Sequence, residues 1–195
     1  MMEVLLPAAL LPLTKYYRPF FLGPGDWMSA LQELRARIGA IEKFSRSGAL
    51  PFSQLSTGLP SGALVEISGQ GKTESVVHFL AENAEIPAAW IESDFSLYPP
   101  ALFQRKRKLE NTFFIEAGKD AAWAASTILR SRLFPVLVYH APYQQDERQL
   151  RRFQLLAEKA QATMILLARR KPLAAWPIAL SLEVRERKLI VLRQK

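Results

Sequence analysis

From residue 63 to the C-terminus, short apolar runs alternate with segments of helical period, and this alternation narrows the choice of fold more than any other feature. Ala63 to Ser68, Ala88 to Glu92, Thr112 to Glu116, Val136 to Tyr139 and Thr163 to Ala168 read as strands. Val136 to Tyr139 is continuously apolar, as expected of a strand covered on both faces. Between these runs, Thr73 to Asn83, Pro99 to Lys108, Lys119 to Ser131 and Asp146 to Gln161 read as helices. Pro99 is tolerated because it falls in a first turn. Leu150, Phe153, Leu156 and Ala160 give the last helix an apolar face. Ala179 to Val184 and Lys188 to Leu192 flank Arg185-Glu186-Arg187 as a terminal hairpin. Strictly alternating strands and helices imply an α/β fold, a mainly parallel sheet flanked by helices, over residues 63–195.

The chain ahead of this core is organised differently. Residues 1–27 are rich in proline and aromatic residues without a period, and read as an irregular extension. Residues 28–62 comprise an amphipathic helix over 29–43 and a Ser/Gly/Pro-rich connecting loop over 44–62. Ser29 and Gln32 fit a capping box, and Leu31, Leu34, Ile38 and Ile41 recur at helical spacing. That stripe either packs on its own core or docks a partner. One reading of the boundary makes Met28 the natural start; an intact native mass that includes residues 1–27 contradicts it.

Composition removes several classes of function. With 49% hydrophobic and 23% charged residues over 195 positions, the chain is globular rather than disordered. It has no cysteine and only His78 and His140 as imidazoles, neither in a ligand spacing, so no metal site is expected. No apolar run approaches a membrane span, and Pro7 and Pro12 interrupt the apolar N-terminus, where Glu3 stands in place of signal-peptide basic residues. A cytoplasmic protein is expected. The net charge of +8 attracts nucleic acid or acidic protein surfaces without choosing between them.

The sharpest local motif is Ser68-Gly69-Gln70-Gly71-Lys72-Thr73, placed directly after a strand and opening a helix. That is the context of a phosphate-binding loop. A working loop sets four residues between its first glycine and Gly-Lys-Thr, so that successive backbone N–H groups wrap the phosphates. Here Gln70 stands alone. The missing residues would span up to about 10 Å of chain, so the ring of amides cannot close. Gly69, Gly71, Lys72 and Thr73 are therefore expected to form an inactive loop that holds at most an isolated anion. No cofactor is expected.

Gly58-Leu59-Pro60-Ser61-Gly62-Ala63-Leu64-Val65-Glu66-Ile67-Ser68-Gly69 closely resembles the segment entering the phosphate loop of bacterial RecA recombinases. Trp90-Ile91-Glu92-Ser93-Asp94, with Leu97 and Pro99, resembles the strand bearing RecA's catalytic glutamate, and Asp94 falls at that position. Val136-Leu137-Val138-Tyr139-His140 resembles the Walker B strand, with His140 where the metal-directing aspartate belongs. Ile165-Leu166-Leu167-Ala168-Arg169 resembles the sensor strand but lacks its glutamine. The resemblance runs over about residues 29–193. Ala141 to Gln145 and Arg170 to Pro177 are far shorter than the DNA-binding loops of RecA. A shortened cradle, a lost acid and a missing sensor together imply that ATP hydrolysis has been abandoned.

This small, degenerate RecA-like pattern is similar to the ImuA family, also described as SulA-like. The resemblance implies a bacterial accessory protein of the SOS response to DNA damage, associated with the nucleoid during damage. It would support translesion synthesis together with an ImuB-like Y-family polymerase homologue, an error-prone DnaE-type polymerase and RecA. It also implies that the stripe of helix 29–43 docks on a neighbouring RecA-like subunit. Three rivals stay open: a SulA-like cell-division inhibitor acting on FtsZ, an ATPase with an unorthodox loop, and a DNA-binding accessory.

Basic residues supply the remaining candidates. Arg105-Lys106-Arg107-Lys108 is the densest run, and Arg148, Arg151 and Arg152, with Arg169, Arg170 and Lys171, are expected on one face as a patch contacting phosphates or an acidic partner. No aromatic residues interleave, so any DNA binding is expected to be weak, salt-sensitive and indifferent to sequence. The terminal hairpin presents an edge strand, which Arg185, Arg187, Lys188 and Arg193 either guard or offer to a partner. No nucleophile–base–acid set is present in the sequence.

Overall fold

The computed structural model describes residues 48–93, 97–98, 100–105, 107, 109–140, 146–168 and 177–194. The helix expected over 29–43, with Leu31, Leu34, Ile38 and Ile41, lies outside the described residues, as do Asp94, Lys106, Lys108, Arg169, Arg170 and Lys171.

The expected strands form the centre of the molecule. In chain order they are β3 (Leu64–Gly69), β4 (Ala88–Glu92), β5 (Thr112–Glu116), β6 (Val136–His140), β7 (Thr163–Leu167), β8 (Leu180–Arg185) and β9 (Lys188–Gln194). They make one seven-stranded sheet in the order β5-β4-β6-β7-β3-β8-β9. All neighbours are parallel except the β8–β9 hairpin, which is antiparallel. Strands β4, β6 and β7 are almost entirely buried, which explains their unbroken apolar character.

Helices cover both faces. On one, α1 (Lys72–Glu82) buries Val76, Val77, Phe79 and Leu80 against Val65, Ile67, Trp90, Val138 and Ile165. The short α2 (Pro100–Gln104) adds Leu102 to the same core. On the other face, α3 (Ala121–Ser131) and α4 (Glu147–Ala160) pack against Ala89, Ile91, Leu137, Tyr139 and Met164. Helix α4 starts where the sequence places it, because the Asp146 side chain accepts a 2.6 Å hydrogen bond from the Gln149 N–H. It ends at Gln161, in the left-handed conformation at φ 53°.

Two local expectations are corrected. The segment read as a connecting loop holds a two-stranded antiparallel hairpin, β1 (Ala49–Phe52) and β2 (Leu55–Pro60), turning at Ser53-Gln54. Leu50, Phe52, Leu55 and Leu59 bury into the α1 core, and the Phe52 and Phe79 rings meet edge-on at 5.4 Å. The turn is fastened to the end of α1. Glu82 accepts from the Ser53 N–H at 2.7 Å and from its hydroxyl, and Asn83 Nδ2 donates to Pro51 O at 2.9 Å. The helix expected over Pro99 to Lys108 stops at Gln104, because the chain turns inward to bury Arg107.

Candidate functional site

The degenerate loop is shorter in space than in sequence. Strand β3 continues through Gly69, and only Gln70 and Gly71 separate it from α1. Gly69 pairs with Val184 on β8 at φ 90°. A β-carbon there would lie 2.3 Å from Val184 O and 3.0 Å from Val184 N, so this glycine serves close strand packing. Gly71, also at φ 90°, is the N-cap of α1 and makes no side-chain cap. The first glycine of a phosphate cradle has thus become part of the β-ladder.

The motif's lysine is engaged within the fold. Lys72 Nζ donates a 2.5 Å hydrogen bond to Ala168 O at the end of β7, whose own N–H is bonded to Ile67 O. Thr73 lies half-buried in the first turn of α1. The helix dipole there already has a carboxylate, Glu74, which pairs with Arg105. Both members of that pair are exposed, so it adds little stability.

A second cluster lies at the carboxyl ends of β4 and β6. These strands are adjacent, yet β4 leads outward to β5 and β6 leads the opposite way to β7. The crevice between strand ends that diverge in this way is where α/β folds bind ligands. Here Glu92 and His140 are register partners, with His140 Nδ1 3.3 Å from Glu92 Oε1. Glu92 is 2% exposed and His140 19%. The carboxylate also accepts from Trp90 Nε1 at 2.8 Å and from the Leu97 N–H at 3.1 Å. The position where the RecA resemblance expects a metal-directing acid therefore carries an imidazole held by an acid from the next strand. Glu92 escapes sequence reasoning because only pairing of distant strands brings it to His140. Its sole local signal is an acid ending an apolar run.

The basic patch is not one surface. Arg107 is 1% exposed and donates five hydrogen bonds: from Nε to Thr112 Oγ1, from Nη1 to Leu80 O and Asn83 O, and from Nη2 to Ile86 O and Asn111 O. Burial lowers its pKa to about 10, opposed in part by the charge of Glu85. It is a structural clamp, unable to reach a phosphate, and its place among surface contacts is corrected. Arg105 is carried with α2 on the α1 face, whereas Arg148, Arg151 and Arg152 lie on α4 across the sheet. Arg148 and Arg152 are exposed, while Arg151 is half-buried and bonds Gln154 Oε1 at 2.6 Å.

Among the described residues no group of three or more His, Asp or Glu side chains can hold a metal ion, and no helix is long and apolar enough to cross a membrane.

No protein-family model and no curated protein matches the sequence. Among solved structures, the chain is similar to the RadB recombinase, with a TM-score of 0.56 at 15% identity over 73% of this chain and 86% of that one. At that identity the likeness shows the fold alone, and the fold is RecA-like.

Proposed function

We propose that this chain is a non-catalytic RecA-like adaptor that acts by binding other proteins in the DNA-damage response. The observation that carries the reading is the collapse of the phosphate loop into a turn of Gln70 and Gly71, with Gly69 packed on Val184 and Lys72 bonded to Ala168 O. A nucleotide's phosphates need successive N–H groups around them and a lysine directed at them. Re-forming that cradle would break the β3–β8 ladder at Gly69 and free Lys72 from β7. The Glu92–His140 pair supports the same reading, since an imidazole in place of the metal-directing acid disfavours Mg²⁺.

The finer assignment extends the sequence resemblance to the ImuA family. In it, the chain joins an ImuB-like Y-family polymerase homologue and RecA during error-prone translesion synthesis with a DnaE-type polymerase. The RecA-like fold fits such a role by offering a recombinase-shaped surface without turnover. The test is co-elution of the purified chain with RecA, with the ImuB-like homologue and with FtsZ, each separately. The adaptor reading expects a stable complex with RecA or the polymerase homologue. Association with neither, together with inhibition of FtsZ GTPase activity, would move the chain to the SulA-like alternative.

A further inference from the structure

The sheet ends in β9, and among the described residues no strand pairs with its outer side. An unpaired edge offers a row of backbone N–H and C=O groups, and natural edges are kept short, twisted or charged to discourage pairing. This edge carries its charges only towards its ends, and a bulge at Leu192 interrupts it. Lys188 opens the strand and Arg193 stands near its close, beyond a register shift between Ser181 and Leu182 of β8. The centre is apolar and open: Ile190, Val191 and Leu192 are 39–43% exposed in succession. Consecutive strand residues point to opposite faces, so apolar surface flanks the edge on both sides.

Charge selects the occupant. Arg185 is engaged with Glu183 across 2.5 Å, while Arg187 and Lys188 stand exposed at the turn; Arg193, at the far end, is half-buried. A second copy of the chain is disfavoured. Antiparallel β9–β9 pairing over residues 190–192 sets the Arg187-Lys188 end of each copy beside the Arg193 end of the other, and like charges brought together destabilise a strand pair. The chain's own first 47 residues are also a poor match, with six basic residues against four acidic ones.

We infer that β9 is a docking edge for an extended acidic peptide of a partner protein, which adds an eighth strand to the sheet. Its main chain pairs with residues 188–191, its acidic residues face Arg187 and Lys188, and its apolar residues cover Ile190 and Val191. This mode fits a protein that works by bridging, and it rests on the adaptor reading only for the existence of a partner. Because Arg187 and Lys188 are exposed, the interaction weakens as salt rises.

The test uses the full chain and a displayed library of random dodecapeptides. Selected peptides are then added to isotopically labelled protein, and the amide signals are followed. The inference expects enrichment of acidic peptides with alternating apolar residues, which shift and protect the amides of residues 188–191. An Arg187→Glu/Lys188→Glu variant, which changes two exposed side chains at the turn and keeps the apolar edge, should lose these peptides at least tenfold and select basic ones instead. An Ile190→Pro variant should lose both kinds. Selected peptides without acidic enrichment, acidic peptides that leave β9 unmoved, or a β9-dependent dimer in the free chain would overturn the inference. Nucleotide binding is a separate readout: it would sink the non-catalytic reading and leave the docking edge standing.

Discussion

Arg107 gives the most discriminating mutational test of the fold, because it looks in sequence like one of four equivalent surface cations. Its guanidinium gathers Leu80 O and Asn83 O at the end of α1, Ile86 O in the following turn, and Asn111 O and Thr112 Oγ1 at the entry to β5. The last carbonyls of a helix have no intrahelical donors, and the negative end of the dipole favours a cation there. Helix α1 has no basic residue in its own last turn, so Arg107 supplies that charge from a distant segment. Two effects compete in the variant Arg107→Ala. Removing a buried cation relieves its desolvation, but it takes the guanidinium donor from four carbonyls and a hydroxyl, of which Asn83 O keeps the Ile86 N–H. Each buried group left unsatisfied costs about 1–3 kcal/mol, so the second effect wins, and the expected loss is about 3–5 kcal/mol. Arg107→Lys keeps the charge but not the planar fork, and should lose about 2 kcal/mol.

Urea unfolding followed by far-UV circular dichroism measures both losses. With a slope of about 2 kcal/mol/M, the alanine variant should unfold about 2 M earlier. The pH dependence has a definite sign. Burial lowers the folded-state pKa to about 10, well below the ordinary arginine value, so both states are protonated at neutral pH and this residue adds no pH dependence below about pH 9. Between those two values the folded state binds fewer protons, and its contribution to stability rises with pH. A midpoint shift below about 0.3 M in Arg107→Ala, with loss of DNA binding instead, would refute the clamp and restore Arg107 to the surface.

Three further outcomes follow from the site. Gly69→Ala puts a β-carbon against Val184 O at positive φ and should cost at least about 2 kcal/mol in a thermal melt; a neutral result would mean β3 does not pair with β8 at this residue. His140→Asp, which restores the expected acid, sets a second carboxylate beside buried Glu92 and should lower stability by about 1–3 kcal/mol at pH 7 without enabling Mg²⁺ binding. An unchanged melting temperature, or Mg²⁺-dependent stabilisation of the variant, would contradict it. Phe52→Ala removes the ring packed on Phe79 and should cost about 3–4 kcal/mol, whereas a free connecting loop would tolerate it.

The central sheet was legible because buried parallel strands write themselves as local apolar runs. Ala88–Glu92 and Thr112–Glu116 occupy the bounds that the sequence predicts. The β1–β2 hairpin was hidden by Pro51, Gly58 and Pro60, which read as loop residues, while its stability comes from Phe79, Glu82 and Asn83 beyond it in the chain. The loss of the phosphate loop was visible as a count of residues. Its consequence, Gly69 on Val184 and Lys72 on Ala168, depends on strands more than ninety residues away and could not be read locally. Arg107 and Glu92 were missed for the same reason, since distant acceptors and register partners decide their roles.

The most direct test is a titration of the full chain with a fluorescent ATP analogue, with and without Mg²⁺ and single-stranded DNA. If the turn at Gln70-Gly71 has replaced the phosphate cradle, no saturable binding occurs up to about millimolar nucleotide, and Mg²⁺ changes nothing. Mg²⁺-dependent binding at micromolar concentration would contradict the account, because it requires Lys72 and the strand-to-helix turn to surround phosphates as they do in an active ATPase.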